Sequence, residues 1–288
     1  LGLVIHNHQP VDNFGEVFEM AYQRAYLPMI EALEKHPGVR LSLHYSGCLL
    51  DWLEEHHADL LNRVAALASR GQVELMTGGY YEPILPAIPE SDRLGQIAKL
   101  SRLIGKRFGQ EPEGLWLPER VWEPHLPKAL AQAGVRWTVV DDTHFRLAGL
   151  KEESLDGYYM TEEEGSSVKV FPSSKLLRYV IPWKSVPEVV ALLRRMADSG
   201  KSFVAMGDDG EKFGVWPKTY EHCWQKGWME EFLSALESNH QWLQAIPLGE
   251  YARQSPPQGM VYLPTASYDE MIEWVLPTPA RQEFENLV

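Results

Sequence analysis

Residues 114–124 read GLWLPERVWEP, and this stretch decides how the chain is to be folded. Leu115 to Leu117 is a short apolar run. Pro118 ends any regular strand there, because it has no N–H to give to a ladder. A carboxylate, a guanidinium and an indole follow directly as Glu119, Arg120 and Trp122. Glu123-Pro124 then opens a helical pattern that runs to Ala133 and is closed by Gly134. An acid therefore stands where a strand gives way to a helix. In α/β folds that edge, the carboxyl end of the strands, is where ligands bind. A capping or salt-bridging glutamate would read the same way from these residues alone, so the rest of the chain has to decide.

Working outward, the same arrangement recurs. Residues 1–6 form an apolar run ending in HNHQP at 6–10, and the period of two puts His6 and His8 on one face. A helical pattern covers 17–34, with Pro28 expected to kink it. A second strand spans 39–45, followed by helical stretches at 49–55 and 58–69, with Gly71 placed as a C-terminal cap. Residues 72–76 make a third strand, with Gln72 and Glu74 on one face, followed by TGGYYEP at 77–83. There the Gly78-Gly79 pair allows backbone to come close to something. A long helix spans 91–108. A fifth strand, 136–142, ends in the paired acids Asp141 and Asp142. Residues 149–166 read as an excursion loop, and 168–171, with 176–181 paired to it, as a sixth strand region. A helix follows at 187–199. A seventh strand at 203–206 leads into GDDGEKFG at 207–214, followed by a helix over 219–237 and a short element at 242–246. Strand then helix, about seven times over, predicts a parallel sheet with helices outside. Closed into a barrel, it sets His6, His8, Glu74, Glu119, Asp141, Asp142 and Asp209 on one rim.

Composition narrows the partners. A formal net charge of −13 argues against nucleic acid and anionic membranes but leaves neutral substrates open. Ten Trp and twelve Tyr suit a large core, and their faces also suit the C–H faces of sugar rings. Cys48 and Cys223 lie in no metal-like spacing. No apolar run is long enough to span a bilayer, and a cytoplasmic location is expected. With 288 residues and no initiator Met, the chain is expected to be one domain and a fragment of a longer protein.

Facing carboxylates with aromatics around them suit glycoside cleavage, one acid protonating the leaving oxygen while the other attacks the anomeric carbon. Asp and His together also suit a metal-dependent deacetylase or related hydrolase, and spacing alone leaves both open.

Five stretches in order, HNHQP at 6–10, GQVELMTGG at 71–79, WLPERVWEP at 116–124, GDDGEKFG at 207–214 and YLPTASYDEMIEW at 262–274, resemble the catalytic domain of glycoside hydrolase family 57. The likeness is strongest to its 4-α-glucanotransferases, which are grouped there with α-amylases. It implies an α/β fold, an incomplete (β/α)7 barrel of parallel strands with outer helices, over residues 1–288, without the helical and β-rich domains that follow in full-length members. It implies Glu119 as nucleophile and Asp209 as acid/base, with no metal or other cofactor. His6, His8 and Glu74 are implied as residues lining the sugar site. Asp142 and Glu211 are further candidate substrate contacts, and Trp216 and Trp274 are candidates for sugar stacking with core packing as the alternative for each. The expected partner is an α-1,4-glucan or maltooligosaccharide, with a homodimer as a further expectation. Hydrolysis of the same glucans and non-catalytic glucan binding stand as the alternatives.

Overall fold

Apolar residues at alternate positions decide which way each strand faces. In β1 (Gly2–Asn7), Leu3 and Ile5 pack outward with the helices, whereas Val4 turns to the opposite side. In β3 (Val73–Met76), Val73 and Leu75 go outward and Met76 joins Val4. The inward set gathers Val4, Met76, Trp116, Trp137, Val139 and Phe171 into a filled interior. The computed structural model describes residues 1–274 and 276–286, the side chains of 272–274 excepted.

Seven parallel strands surround that interior. With β2 (Leu41–Tyr45), β4 (Gly114–Trp116), β5 (Trp137–Asp141), β7 (Ser166–Ser173) and β8 (Ala205–Asp209), the order is β3-β2-β1-β8-β7-β5-β4. β6 (Tyr159–Glu163) lies antiparallel on β7. The ends of the sheet meet at Thr77, whose N–H donates to Gly114 O at 2.8 Å and whose carbonyl accepts from Trp116 N–H at 2.8 Å. The barrel is therefore nearly closed, as the strand–helix count implied.

The helices lie outside, and several differ in detail from the sequence reading. The 17–34 helix is α1 (Gly15–Ala21) and α2 (Leu27–Lys35), joined by a π-helical turn at Tyr22–Tyr26, so the irregularity precedes Pro28 rather than sitting on it. Gly71 takes φ +73°, as a capping glycine should. Residues 176–181 are not a strand: Ser174 caps a helix there, α3 (Lys175–Val180). The excursion loop contains β6, whose hydrogen bonds to β7 the acidic composition conceals. The 219–237 helix is broken at Gly227, φ +79°, and runs on as α4 (Trp228–Ser238). The 242–246 stretch forms no strand. It passes beneath the strand starts, with Ile246 N–H on Leu1 O, and leads into α5 (Leu248–Gln254), which plugs the lower end of the barrel.

Candidate active site

Strand parity delivers the site side chains. Val4 faces inward, so His6 does too, and its ring stacks on Trp116 at 4.4 Å. In β8, Ala205 is inward and Met206 outward, so Asp209 points inward and Asp208 outward. Register puts His6 opposite both His44 and Asp209, and His44 opposite Met76. These residues form one layer at the carboxyl end of the strands. Two adjoining cavities of about 330 and 310 Å³ open above it, sharing His6, Glu119, Asp209 and Trp216 as walls.

Glu119 reaches this space through a strained turn. Glu119 and Arg120 adopt φ +51° and +47°, a conformation that costs a non-glycine residue about 1–3 kcal/mol. The turn is held from both sides. Ser267 Oγ donates to Glu119 O, and a ring N–H of His144 faces Arg120 O at 2.8 Å. The Trp122 and Ala266 backbones exchange hydrogen bonds at 2.8 and 3.2 Å. The Tyr268 hydroxyl donates to Glu119 Oε2. Arg120 is 4% exposed and lies between the Trp116 and Tyr268 rings, 5.3 and 4.8 Å from their centroids.

Asp209 stands apart chemically. Burial, and then the charge of Asp208, push its pKa up to about 6, against the pull of Arg120 and Arg178. Asp208 pairs with the buried Lys212 on the outer side. Glu211, in the adjoining cavity, accepts from His8 N–H at 2.9 Å and from the Tyr26 hydroxyl. Burial and the charge of Asp209 push it up to about 7. Burial and its histidine neighbours hold His6 well below the usual imidazole range, and burial holds His44 at about 3. For His8, burial opposes the charge but is outweighed by Glu82, so its pKa is raised.

The structure thus gathers His6, His8, Glu119, Asp209, Glu211 and Trp216 around one space. Trp216 is 40% exposed at the rim, which suits a stacking face better than a core role. Two expected residues lie elsewhere. Glu74 faces inward but one layer too low, opposite Ser42, which is itself level with Val4 and Gly207 through β1. Its carboxylate accepts from Ser42 Oγ at 3.1 Å and Gly249 N–H at 2.9 Å at the plugged end of the barrel. Asp142 follows the inward Asp141 and so turns outward, accepting from Lys175 N–H at 2.8 Å and Arg146 at 3.2 Å. The side chain of Trp274 lies outside the described residues.

Sequence reading missed Glu82, Arg178 and Tyr268. Glu82 sits in the loop after β3 at φ +53°, against His6, His8 and His44. That position, beyond the strand rather than at its start, was the available signal. Arg178 bonds Asp141 at 2.9 Å and lines the larger cavity. The glycine pair before Glu82 brings backbone close to protein, not to an open ligand space: a Cβ on Gly78 would lie 2.6 Å from His44 Nε2.

A parallel barrel with two carboxylates in unlike surroundings at its strand ends defines a class of glycoside-cleaving proteins. Residues 2–264 match glycosyl hydrolase family 57, and the chain belongs to that family. It is 49% identical over 287 residues to alpha-amylase 1 of Dictyoglomus thermophilum, covering 99% of this chain and 42% of that protein. It is 46% identical over 285 residues to the 4-alpha-glucanotransferase of Thermococcus litoralis, covering 99% and 43%. The crystal structure of the Thermococcus litoralis 4-alpha-glucanotransferase superposes with a TM-score of 0.95 at 44% identity, over all of this chain and 45% of that one. The chain therefore spans less than half the length of these relatives. No described helix is long and apolar enough to cross a membrane.

Proposed function

We propose that this chain is the catalytic barrel of a retaining α-glucan-active enzyme, a 4-α-glucanotransferase working by double displacement. The observation that carries the reading is the unlike pair on one cavity. Glu119 is oriented by a tyrosine hydroxyl, and Asp209 is made a weak acid by burial and a like-charged neighbour. Glu119 attacks the anomeric carbon and the glycosidic bond breaks, the leaving oxygen taking the proton of Asp209. The same carboxylate then takes a proton from the incoming acceptor as its oxygen displaces Glu119. The glucan 4-OH as acceptor gives transfer, and water gives hydrolysis. Relatives bearing the names glucanotransferase and amylase are about equally similar to this chain, so the acceptor step separates the two. In this reading His6, His8, Glu211 and Trp216 meet sugar hydroxyls and ring faces, and the steps call on no metal.

The full-length protein incubated with maltotriose is expected to give both longer and shorter maltooligosaccharides. Reducing sugar released in step with substrate loss, without longer products, assigns hydrolysis instead. Asp209→Asn is expected to be inactive on starch yet to form a covalent adduct on Glu119 from an α-glucosyl fluoride, whose leaving group needs little protonation. Mass spectrometry of its peptides reads the adduct, and an adduct on another carboxylate would displace Glu119 from the role.

A further inference from the structure

The double displacement needs two carboxylates, yet the smaller cavity holds two more, Glu82 and Glu211, and two imidazoles turn toward Glu82. His6 and His8 stack with ring centroids 5.8 Å apart. Glu82 comes back over them from its left-handed turn, its side chain 7% exposed. The His8 ring touches one carboxylate oxygen through Nδ1, and His6 Nε2 stands 3.6 Å from the other. One donor atom from each of the three lies within 4.8 Å of the others. The buried Glu82 Oε1 forms no hydrogen bond among the described residues. It has His6 Nε2 and His44 Nδ1 each at 3.6 Å, beyond hydrogen-bond reach, so a cation beside it would complete its contacts.

The surroundings suit a cation. His44 Nδ1 meets His6 Nδ1 at 2.8 Å, which occupies that nitrogen and leaves Nε2 turned to Glu82. Metal-bound imidazoles are fixed in this way by a hydrogen bond on their far nitrogen. Donors about 2.1 Å from a tetrahedral ion are about 3.4 Å apart, close to the His6–Glu82 separation. The cavity of about 310 Å³ leaves the fourth position open. Two imidazole nitrogens and one carboxylate favour the zinc class over calcium or magnesium, which prefer oxygen throughout.

We propose that His6, His8 and Glu82 bind one divalent transition-metal ion of the zinc class in the glucan-free protein, and that the ion and the glucan exclude one another. The ion occupies the space where sugar hydroxyls meet the same imidazoles, so it opposes turnover instead of driving it. The exclusion rests on the glucan reading; binding of the ion does not.

Cobalt(II) titrated into the full-length protein tests the binding. The expected result is one equivalent per chain, with intensified visible absorption that Zn²⁺ abolishes. Glu82→Gln and His8→Gln are each expected to lose it. His57→Gln, which alters another histidine–glutamate pair that lines neither cavity, is expected to keep it. Far-UV circular dichroism checks folding, and the half-exposed His8 keeps the test alive if Glu82→Gln fails to fold. Absence of saturable cobalt or zinc binding, or binding that survives in both folded variants, overturns the site. In a maltotriose assay, Zn²⁺ is expected to raise KM about tenfold at ten times its dissociation constant with kcat unchanged, reversed by a chelator. Zinc bound with KM unaltered, or zinc required for turnover, overturns the exclusion. A protein without glucan turnover would fail the proposed function while the cobalt spectrum still decides the site.

Discussion

Glu74 and Asp209 are both half-buried, inward-facing carboxylates of one barrel, and desolvation raises the pKa of each. Their settings differ. At the plugged end, the Glu74 carboxylate receives a serine hydroxyl and a backbone N–H, and Gly249 packs so close that a Cβ there would fall 2.1 Å from Glu74 Oε1. At the open end, Asp209 faces a cavity shared with Glu119. A raised pKa therefore does not by itself mark a catalytic acid. What separates an acid that holds a fold from one able to exchange a proton is space beside it, together with a second group across that space.

The comparison can be broken most sharply at Glu119. Replacing it by Gln keeps the shape and removes the proposed nucleophile, so glucan turnover is expected to fall at least about 10⁴-fold. Residual initial rates on maltoheptaose within tenfold of wild type would end the distinction between the two ends. Tyr268→Phe removes one hydrogen bond to a carboxylate, about 1.5–3 kcal/mol if it tightens in the transition state. Its kcat is expected to drop about 10- to 100-fold with little change in KM.

The pH dependence follows from Asp209. In the proposed reaction Asp209 is the acid of the first step and must carry its proton, and its pKa of about 6 means that the proton is lost as pH rises through that value. The expected kcat/KM profile falls on its alkaline side above about pH 6, tenfold per unit. Asp208→Asn removes a like charge and is expected to move that limb to lower pH. A limb that stays put or moves upward assigns the titration to another group. Trp216→Ala removes a stacking face at the rim and is expected to raise KM about five- to tenfold, with kcat nearly intact.

The smallest effect is expected at Glu74. A glutamine there can still accept from Ser42 and Gly249, so Glu74→Gln should change turnover by less than about twofold. Its mark is on stability. The folded-state pKa of Glu74 is raised, so its favourable contribution is complete below the unfolded carboxyl range and is lost as pH rises through the folded value. Urea midpoints at pH 4.5 and 7.5 are expected to favour the glutamine variant more at the higher pH. A folded Glu74→Gln protein inactive on glucans would return this residue to the active site.

Much of this architecture could be read from residue order. Strand–helix alternation predicted the barrel, and the position of Glu119 just past a proline-terminated strand located the rim. Depth along a strand was harder. Glu74 has the inward parity of Met76, and only the register against β2 shows that it lies a layer below His44. Asp142 failed for the opposite reason: one residue past Asp141, it faces the other way. Arg178 was lost because an apolar run with helical and strand readings was taken as strand, which leaves the direction of its side chain undefined. The contact between Glu119 and Tyr268 spans 149 positions, and no local period encodes it.

The clasp on the strained turn gives the chain a timetable. By residue 209 every strand of the barrel has been made. Yet the groups that grip the Glu119–Arg120 turn from the far side, Ala266, Ser267 and Tyr268, come almost sixty residues later. During synthesis, which proceeds at about 5–20 residues per second, several seconds pass in which the barrel strands are complete while the Glu119 turn is not yet gripped from this side. The grip on the proposed nucleophile is thus made after the barrel strands that position it.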